Sequence, residues 1–250
     1  MSRNRPFVLT IAGFDPSGGA GVLADVKTFE QHKVYGFAIN TGNSIQTEND
    51  FFEMQWTSLD FVLKSIRIFF RAYEIKAVKI GIVPSLEYLK EIVFTIKKLS
   101  PSTKIVWDTV LKSSTDFDFL NIQNQENLIL ILKKIDLITP NFNEILQLSK
   151  GFDVGTTSSQ LSEHCNVYLK GGHNTQEIGV DYLFIKNNLQ KLLPTTNDCQ
   201  EKHGSGCVLS SAITANIALG HDLKSACEKA KNYIENYLLS NSTKLGYHYV

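Results

Sequence analysis

The sequence has no excess of charge of either sign, since its 25 basic and 25 acidic side chains give a formal net charge of zero. Nucleic acids and anionic membranes favour a basic excess, so the charge balance indicates neither kind of partner. No apolar run approaches the roughly 18 residues that a membrane span needs. The first apolar stretch, residues 7–12, is also too short for the core of a signal peptide. We therefore expect a protein with no nucleic-acid or membrane partner.

Cysteine is scarce as well. Four cysteines in 250 residues are too few for a disulfide framework, so we expect free thiols in a reducing cytoplasm. Cys199, His203 and Cys207 are evenly spaced, but a zinc site needs a fourth ligand that the sequence does not offer nearby. The Walker A pattern G-x-x-x-x-G-K-[ST] is absent, which excludes a P-loop as the means of holding a nucleotide.

Apolar side chains are plentiful, at 43% of the residues, so the chain can bury a large core and is not intrinsically disordered. Short β-branched runs alternate with longer amphipathic stretches along its length. This alternation predicts an α/β fold, with a mostly parallel central sheet covered by helices on both faces as three layers. No shift in composition marks a boundary, so we expect a single domain over residues 1–250.

The local patterns place the individual elements. We predict strands at residues 7–11, 36–41, 77–80, 104–107, 136–139 and 167–170, and a hairpin at 179–185 and 189–193. We predict helices over residues 22–32, 58–70, 85–99, 125–134, 143–148, 207–219 and 223–239. Residues 42–50 are polar and are expected to form a loop. Ligands bind beyond the carboxyl ends of the strands in such sheets, so polar clusters that follow strands are the candidate sites.

The first of these clusters is a glycine-rich turn at residues 13–21, between a strand and a helix. Its segment Gly19-Ala-Gly-Val-Leu-Ala24 formally matches the dinucleotide fingerprint G-x-G-x-x-A. That fingerprint also needs an acidic residue at the end of the second strand, and residues 37–41 end without one. The turn either only reverses the chain or leaves room for a ligand ring against exposed backbone.

The second cluster is His203-Gly-Ser-Gly-Cys207, directly before an apolar helix. Its two glycines let backbone N–H groups converge on one point, and the helix adds its positive end. These features suit an anion such as a transferring phosphoryl group, although a plain loop has the same composition. We expect Cys207, in the first helical turn, to have a lowered pKa and more thiolate character.

Three further candidates end strands or begin helices. Asn141 and Glu144 are spaced so that they can face the same side of a helix start, where they can hold a hydrated Mg²⁺ and phosphate oxygens. The same spacing also describes a capping box. Lys170 precedes two glycines and either approaches a phosphate or is an exposed lysine before a turn. Asp108 is either a carboxylate on the metal side or a turn residue.

The motifs and their order along the chain resemble those of a known protein family. The segment Thr10-Ile-Ala-Gly-Phe-Asp-Pro-Ser-Gly-Gly-Ala-Gly-Val-Leu-Ala-Asp-Val-Lys-Thr-Phe29 resembles the N-terminal signature of hydroxymethylpyrimidine and phosphomethylpyrimidine kinases. The other motifs follow in the order of that family and cover nearly the whole chain: Tyr35-Gly36, Lys79-Ile-Gly81, Asp108-Thr-Val110, Leu137-Ile-Thr-Pro-Asn141, Lys170-Gly-Gly-His173 and His203-Gly-Ser-Gly-Cys207.

The resemblance implies a ribokinase-like fold and an ATP- and Mg²⁺-dependent kinase of thiamine biosynthesis. Its substrates would be 4-amino-5-hydroxymethyl-2-methylpyrimidine, a small-molecule pyrimidine, and the monophosphate of that compound. The resemblance also suggests a homodimer.

The resemblance further implies roles for individual residues. Gly13, Asp25 and Gln46 would lie around the pyrimidine, with Ile82 and Val110 packed on its ring. Asn141, Glu144 and Lys170 would face the nucleotide, with Glu144 and Asp108 on the metal side. Gly204, Ser205 and Gly206 would form an anion hole, and Cys207 would be the base that deprotonates the hydroxyl group.

The sequence departs from the family pattern at several places. Phe14 stands where the family has serine or threonine, and Ser205 where it has threonine. The segments at residues 108–114 and 150–166 are short, and we expect the second to lack most of a peripheral helix. Two alternatives remain open: a pyridoxal or pyridoxine kinase, whose members more often carry aspartate at the position of Cys207, and a non-catalytic sensor of the pyrimidine.

Overall fold

One sheet organises the chain. The computed structural model describes residues 4–112, 119–120, 122, 124–148, 151–186, 188–196 and 199–248, so residues 113–114 and Lys150 of the short segments lie outside the described residues. Within the described residues the sheet has nine strands. They are β1 (Phe7–Phe14), β2 (Tyr35–Gln46), β3 (Phe51–Trp56), β4 (Ile75–Ile80), β5 (Lys104–Trp107), β6 (Leu137–Ile138), β7 (Asn166–Leu169), β8 (Asp181–Ile185) and β9 (Asn188–Leu192).

The strand order is β3-β2-β1-β4-β5-β6-β7-β8-β9. The six strands from β2 to β7 in this order run parallel, and β3, β8 and β9 are antiparallel to their neighbours. The prediction of a mostly parallel sheet is therefore confirmed. Because the carboxyl ends of parallel strands meet at one edge, Gly81, Asp108, Thr139 and Lys170 all emerge there.

The helices of the described residues cover both faces of this sheet. They are α1 (Gly21–Gln31), α2 (Leu59–Ala72), α3 (Leu86–Leu99), α4 (Gln125–Leu132), α5 (Phe142–Leu148), α6 (Val154–Ser162), α7 (Ser205–Ala218) and α8 (Leu223–Leu239). Capping side chains fix several of their starts, because the first N–H groups of a helix have no intrahelical acceptor. Ser85 caps α3 by accepting from the amide of Tyr88, and Asp222 caps α8 in the same way.

The core consists of two layers separated by the sheet, since successive strand residues point to opposite faces. Leu9, Ile105 and Ile138 pack against helices α2 to α6. Their neighbours along the strands, Val106 and Leu137 among them, pack against α1, α7 and α8. The predicted arrangement of three layers is therefore confirmed.

Two predictions at the periphery are wrong. Residues 42–50 are not simply a loop, because β2 continues to Gln46 and pairs with β3 as an antiparallel ribbon. Burial alternates along that part of β2, where Ser44 is buried and Ile45 exposed, so one face of the ribbon rests on the protein. The side chains do not follow this alternation in polarity, and the segment therefore has the composition of a loop. The short segment at 150–166 keeps a nine-residue helix, α6, which Asp153 caps at the amide of Thr156.

Among the residues that the structure describes, no helix combines the length and the apolar character that a bilayer crossing requires.

Candidate active site

The polar residues at the carboxyl edge of the sheet surround the first turn of α7. This helix packs against β1, β4 and β5, and two adjacent serines inside its apolar sequence bind carboxylates of two other elements. Ser210 Oγ donates to Asp108 at 3.1 Å, and Ser211 Oγ donates to Asp25 at 2.7 Å. The start of α7 is therefore held between two buried carboxylates.

The anion loop, residues 203–207, enters α7 through a left-handed glycine. Gly204 has φ of 72°, and a Cβ at that position would lie 2.0 Å from the carbonyl oxygen of Gly19. Only glycine fits this close approach of two backbones. The amide of Ser205 donates to the carbonyl of Lys202 at 3.2 Å. The next amides of the loop, those of Gly206 and Cys207, belong to the first helical turn, which leaves them without an intrahelical acceptor.

Lys170 lies directly against this turn. A Cβ at Gly206 would be 3.2 Å from Lys170 Nζ, so the missing side chain brings the ammonium close to the helix start. Lys170 Nζ also lies 3.1 Å from Asp108 Oδ1 and 3.5 Å from Glu144 Oε2. Burial would lower the pKa of Lys170, but the carboxylates of Asp108 and Glu144 outweigh it and raise the pKa, so the ammonium stays charged.

The carboxylate of Asp108 has no exposed surface. It accepts hydrogen bonds from Thr139 Oγ1, Lys170 Nζ and Ser210 Oγ, each at 3.1 Å. Burial would raise the pKa of Asp108, but Lys170 and then Lys79 lower it below its ordinary value. Asp108 is therefore an ionised group that orients its neighbours.

Asn141 and Glu144 form a capping box at the start of α5. Asn141 Oδ1 accepts from the amides of Asn143 and Glu144, and Glu144 Oε2 accepts from the amide of Asn141 at 2.7 Å. Burial raises the pKa of Glu144, while Lys170 opposes that rise. The capping alternative for this pair is thus confirmed, and the box places Glu144 beside Lys170.

Asp25 and Lys79 make a second lysine–carboxylate pair, on α1 and β4, with both side chains at 0% exposure. Lys79 Nζ lies 2.8 and 2.9 Å from the two carboxylate oxygens, which also accept from Thr10 and Ser211. Burial alone would lower the pKa of Lys79, but Asp25 and neighbouring anionic groups raise it. In this conformation Asp25 therefore offers no free surface to a ligand ring and lies beneath the site.

The expectation of a lowered pKa for Cys207 is wrong. Burial raises the pKa of its thiol to about 11, although the charge of Lys79 and the amide of Gly21 oppose the rise. The loss of hydration at the half-buried sulfur outweighs the positive surroundings that a helix start provides. With a pKa of about 11, Cys207 is mainly a thiol at neutral pH.

The residues expected around the pyrimidine lie at the ends of β1, β2 and β4. A Cβ at Gly13 would be 2.4 Å from Ile82 Cδ1, so this glycine makes room for the isoleucine. Gln46 Nε2 donates to Ser44 Oγ at 2.8 Å, and Ser44 Oγ donates to the carbonyl of Phe14 at 2.9 Å. Ile82 is half-buried, as is Val110, which follows β5. These residues bring apolar and amide surface to the carboxyl ends of β1, β2, β4 and β5.

Several polar residues of the site have no role that the sequence motifs indicate. Lys79, Ser210 and Ser211 belong to this group, together with a contact between Asp15 and His203. The serines are detectable as polar residues within an otherwise apolar helical stretch, which is a signal for buried hydrogen bonds. No local pattern reveals the other pairs, because their partners are far apart in sequence.

The carboxylates of Glu144 and Asp108 are the side chains of the site that could bind a metal ion. Within the described part of the chain, no group of three or more His, Cys, Asp and Glu side chains is arranged to hold one. Mg²⁺ keeps several waters and commonly uses one or two carboxylates together with substrate phosphates. Glu144, at 8% exposure, and Asp108 behind it fit a magnesium ion that enters with a nucleotide, and they do not form an all-protein metal cage.

The chain is similar to proteins of known families. The sequence model of a family described as phosphomethylpyrimidine kinase matches residues 15–250. The hydroxymethylpyrimidine/phosphomethylpyrimidine kinase of Aquifex aeolicus (strain VF5) is 34% identical over 246 residues, which are 95% of this chain and 96% of that protein.

Two solved structures have a similar fold. The crystal structure of the phosphomethylpyrimidine kinase of Clostridium difficile 630 is 33% identical, with a TM-score of 0.77 over 92% of this chain and 98% of that one. The ADP complex of Bacillus subtilis pyridoxal kinase is 27% identical, with a TM-score of 0.82 over 95% of this chain and 93% of that one.

Proposed function

The chain belongs to the phosphomethylpyrimidine kinase family and is a phosphotransferase with a ribokinase-like fold, and from this premise we propose its substrates and mechanism. The proposed reaction transfers the γ-phosphoryl group of ATP to the hydroxymethyl group of 4-amino-5-hydroxymethyl-2-methylpyrimidine. The product of this step, the monophosphate, is proposed as the second substrate. One sheet runs through the described residues, which supports a single kinase domain.

The observation that carries the proposal is the convergence of Gly206 and Lys170 at the start of α7. Phosphoryl transfer consists largely of positioning and charge stabilisation. The anion loop, Gly204, Ser205 and Gly206 with the helix behind them, would stabilise the negative charge of the transferring group through the free amide of Gly206, since the amide of Ser205 already donates to the carbonyl of Lys202. The ammonium of Lys170 would face the same oxygens, with its charge maintained by Asp108 and Glu144.

The nucleotide would occupy the side of the site formed by Asn141, Glu144 and Lys170. Because the capping box fixes Glu144, the carboxylate cannot easily turn away from the lysine. Glu144 would hold Mg²⁺ through its waters, and the buried carboxylate of Asp108 would add its negative charge from behind. The ion would neutralise phosphate charge.

The pyrimidine would lie on the side of Gly13, Ile82 and Val110, with Gln46 at its polar edge. The amide of Gln46 can both donate and accept, which matches an aminopyrimidine. Asp25 would act on this side from below, by holding Lys79 under the loop.

Cys207 would accept the proton of the attacking hydroxyl group at its sulfur. Since the thiol pKa is about 11, the thiolate is a minor species at neutral pH. Lys79 and the amide of Gly21 are the groups that favour it. In a largely dissociative reaction the proton leaves late, so a small thiolate population is sufficient.

A steady-state assay with ATP tests the substrate assignment, with the free alcohol and its monophosphate supplied separately. We expect turnover of one or both. Pyridoxal and pyridoxine are included because the similarity to the Bacillus subtilis pyridoxal kinase favours that activity as the second candidate. Tight binding of the pyrimidine without turnover of any substrate would favour the sensor.

A cysteine substitution tests the proposed base. We expect Cys207→Ser to lower kcat by about 10²-fold or more, the usual scale of general-base catalysis. The wild-type kcat should rise with pH towards the thiol pKa of about 11, and the variant should lose this rise. Cys227→Ala, which alters a buried thiol in α8, is the control. An unchanged kcat in Cys207→Ser would remove the sulfur from the mechanism and leave the anion loop as the main contributor.

We also propose that the enzyme is cytoplasmic and that it forms a homodimer. Cys165, Cys207 and Cys227 are free thiols, which supports a reducing cytoplasm. The family resemblance supports a homodimer, which sedimentation equilibrium would test against a monomer.

A further inference from the structure

Asp15 and His203 join two loops that are 188 residues apart in sequence. His203 Nε2 lies 2.8 Å from Asp15 Oδ2. Asp15 is 1% exposed, and the His203 side chain is 9% exposed, so water does not screen this contact strongly. The proposed reaction assigns neither side chain a task, although both lie in the loops that it uses.

On one side of this contact, Asp15 organises the glycine-rich turn at residues 13–21. Its carboxylate accepts from the amides of Ser17 and Ala20, each at 2.9 Å, and from Ser17 Oγ at 2.8 Å. Burial would raise the pKa of Asp15, but the bonds from His203 and Ser17 lower it. One ionised carboxylate therefore fixes the turn that leads into α1.

On the other side, His203 belongs to the anion loop and is held from behind. Its amide donates to the carbonyl of Lys244 at 2.8 Å. The preceding residue, Lys202, donates through Nζ to the carbonyls of Asn241 and Thr243 at 2.5 and 2.6 Å. The anion loop is thus anchored to the segment at residues 241–245 and reaches the glycine-rich turn through the imidazole.

The backbones on both sides are already in contact. A Cβ at Gly19 would lie 2.7 Å from His203 Cδ2, and a Cβ at Gly204 would lie 2.0 Å from the carbonyl oxygen of Gly19. A small relative shift of the two loops would therefore break the Asp15–His203 contact or produce a steric clash.

We propose that Asp15 and His203 form a positioning clasp that fixes the glycine-rich turn relative to the anion loop. The clasp would align the acceptor hydroxyl group with the transferring phosphoryl group, and this alignment rests on the proposed function. Because both are positioning residues, their loss would change the geometry between two bound substrates more than the binding of either one. A misplacement of about 1 Å can lower the rate about 10²-fold.

Kinetics of three variants test the alignment. We expect Asp15→Asn and His203→Ala to lower kcat by about 10²-fold, with little change in the separate dissociation constants of nucleotide and alcohol. His203→Gln keeps an N–H donor for Asp15 and should retain more activity than His203→Ala. His32→Gln, at the other end of α1, is the control and should behave as wild type. Unchanged kcat in both His203 variants, or equal losses in both, would overturn the clasp.

Hydrogen exchange tests the clasp without reference to catalysis. In His203→Ala, amides of residues 15–21 and 203–207 should exchange faster together, at a melting temperature near that of wild type. Faster exchange in only one of the two loops would contradict the clasp. If the wild-type chain fails to phosphorylate the pyrimidine, the proposed function fails, and this exchange measurement still decides whether the two loops are coupled. If Asp15→Asn does not fold, the two His203 variants supply the same decision.

Discussion

Two lysine–carboxylate pairs support the same helix start, and they differ in their access to ligand. Asp25 and Lys79 are both fully buried, and four hydrogen bonds from Thr10, Lys79 and Ser211 occupy the carboxylate. Lys170 pairs with Asp108 at 3.1 Å. In contrast to Lys79, its side chain keeps 13% exposure and lies against Gly206. The Asp25–Lys79 pair is therefore the enclosed pair. The Lys170–Asp108 pair is the open pair, because it presents its cation to the anion loop.

The difference shows how burial separates support from chemistry. Two charges without water stabilise each other but are costly when one is removed. A lysine at the edge of the solvent can exchange one anionic partner for another as a phosphate arrives. The enclosed pair should therefore control stability, and the open pair should control catalysis.

The largest effect should follow from breaking the enclosed pair. Lys79→Met leaves the Asp25 carboxylate buried without its cation, so we expect a loss of about 3–5 kcal/mol in the free energy of unfolding. Urea denaturation would measure this loss. Lys76→Met, which changes an exposed lysine of the same strand, is the control and should cost little. A loss as small as that of the control would show that the pair does not support the fold.

Removal of the open cation should act on the reaction. We expect Lys170→Met to lower kcat/KM by about 10²- to 10³-fold, the scale of losing one group that stabilises transition-state charge. Its effect on the free energy of unfolding should be smaller than that of Lys79→Met, because Lys170 is partly hydrated. Lys170→Arg keeps the positive charge and should recover part of the activity. Wild-type kinetics in Lys170→Met would show that this lysine does not stabilise the transferring phosphate.

The adjacent serines of α7 allow a finer comparison of the two pairs, since Ser211 donates to Asp25 of the enclosed pair and Ser210 donates to Asp108 of the open pair. Ser211→Ala removes a hydrogen bond to the Asp25 carboxylate and should cost about 1.5–3 kcal/mol of stability with little change in kcat. Ser210→Ala removes a donor to Asp108 and should lower kcat as well. Parallel measurement of unfolding and turnover compares the two variants. Identical profiles would contradict the division between support and chemistry.

The smallest effect should come from acid. The pKa of Asp108 is lowered in the folded chain, so its carboxylate adds stability above the ordinary carboxyl pKa and this stability is lost as the pH falls through the lowered value. Burial raises the pKa of Asp25 despite Lys79, so its contribution has the opposite sign. Urea midpoints over an acid pH series should therefore depend less on pH in Asp108→Asn and more in Asp25→Asn. The reverse order of slopes would overturn this assignment.

The sequence predicts the elements that local patterns determine. The alternation of strands and helices indicates the layers, and the polar residues after strands, such as Asp108 and Lys170, do meet at one edge of the sheet. The ribbon of β2 and β3 escapes prediction because its polar residues resemble a loop and its strand character depends on a buried face.

Within the site, sequence order identifies the anion loop but not the environment of its residues. The pKa of Cys207 depends on burial by segments far away in the chain, which a motif does not report. The pairing of Lys79 with Asp25 likewise spans 54 residues and has no local signal. Long-range electrostatics therefore forms the part of the site that only the folded chain reveals.

The two serines of α7 also define the azimuth of that helix. Neighbouring residues of an α-helix are turned by about 100° around its axis. Since Ser210 and Ser211 engage carboxylates in different directions, one rotational setting alone satisfies both. An inserted or deleted residue between Gly206 and Ser210 would rotate the remainder of the helix and detach both anchors, whereas conservative substitutions there keep the phase. Related proteins that keep both serines should therefore have no insertions or deletions in this stretch, even where its side chains differ.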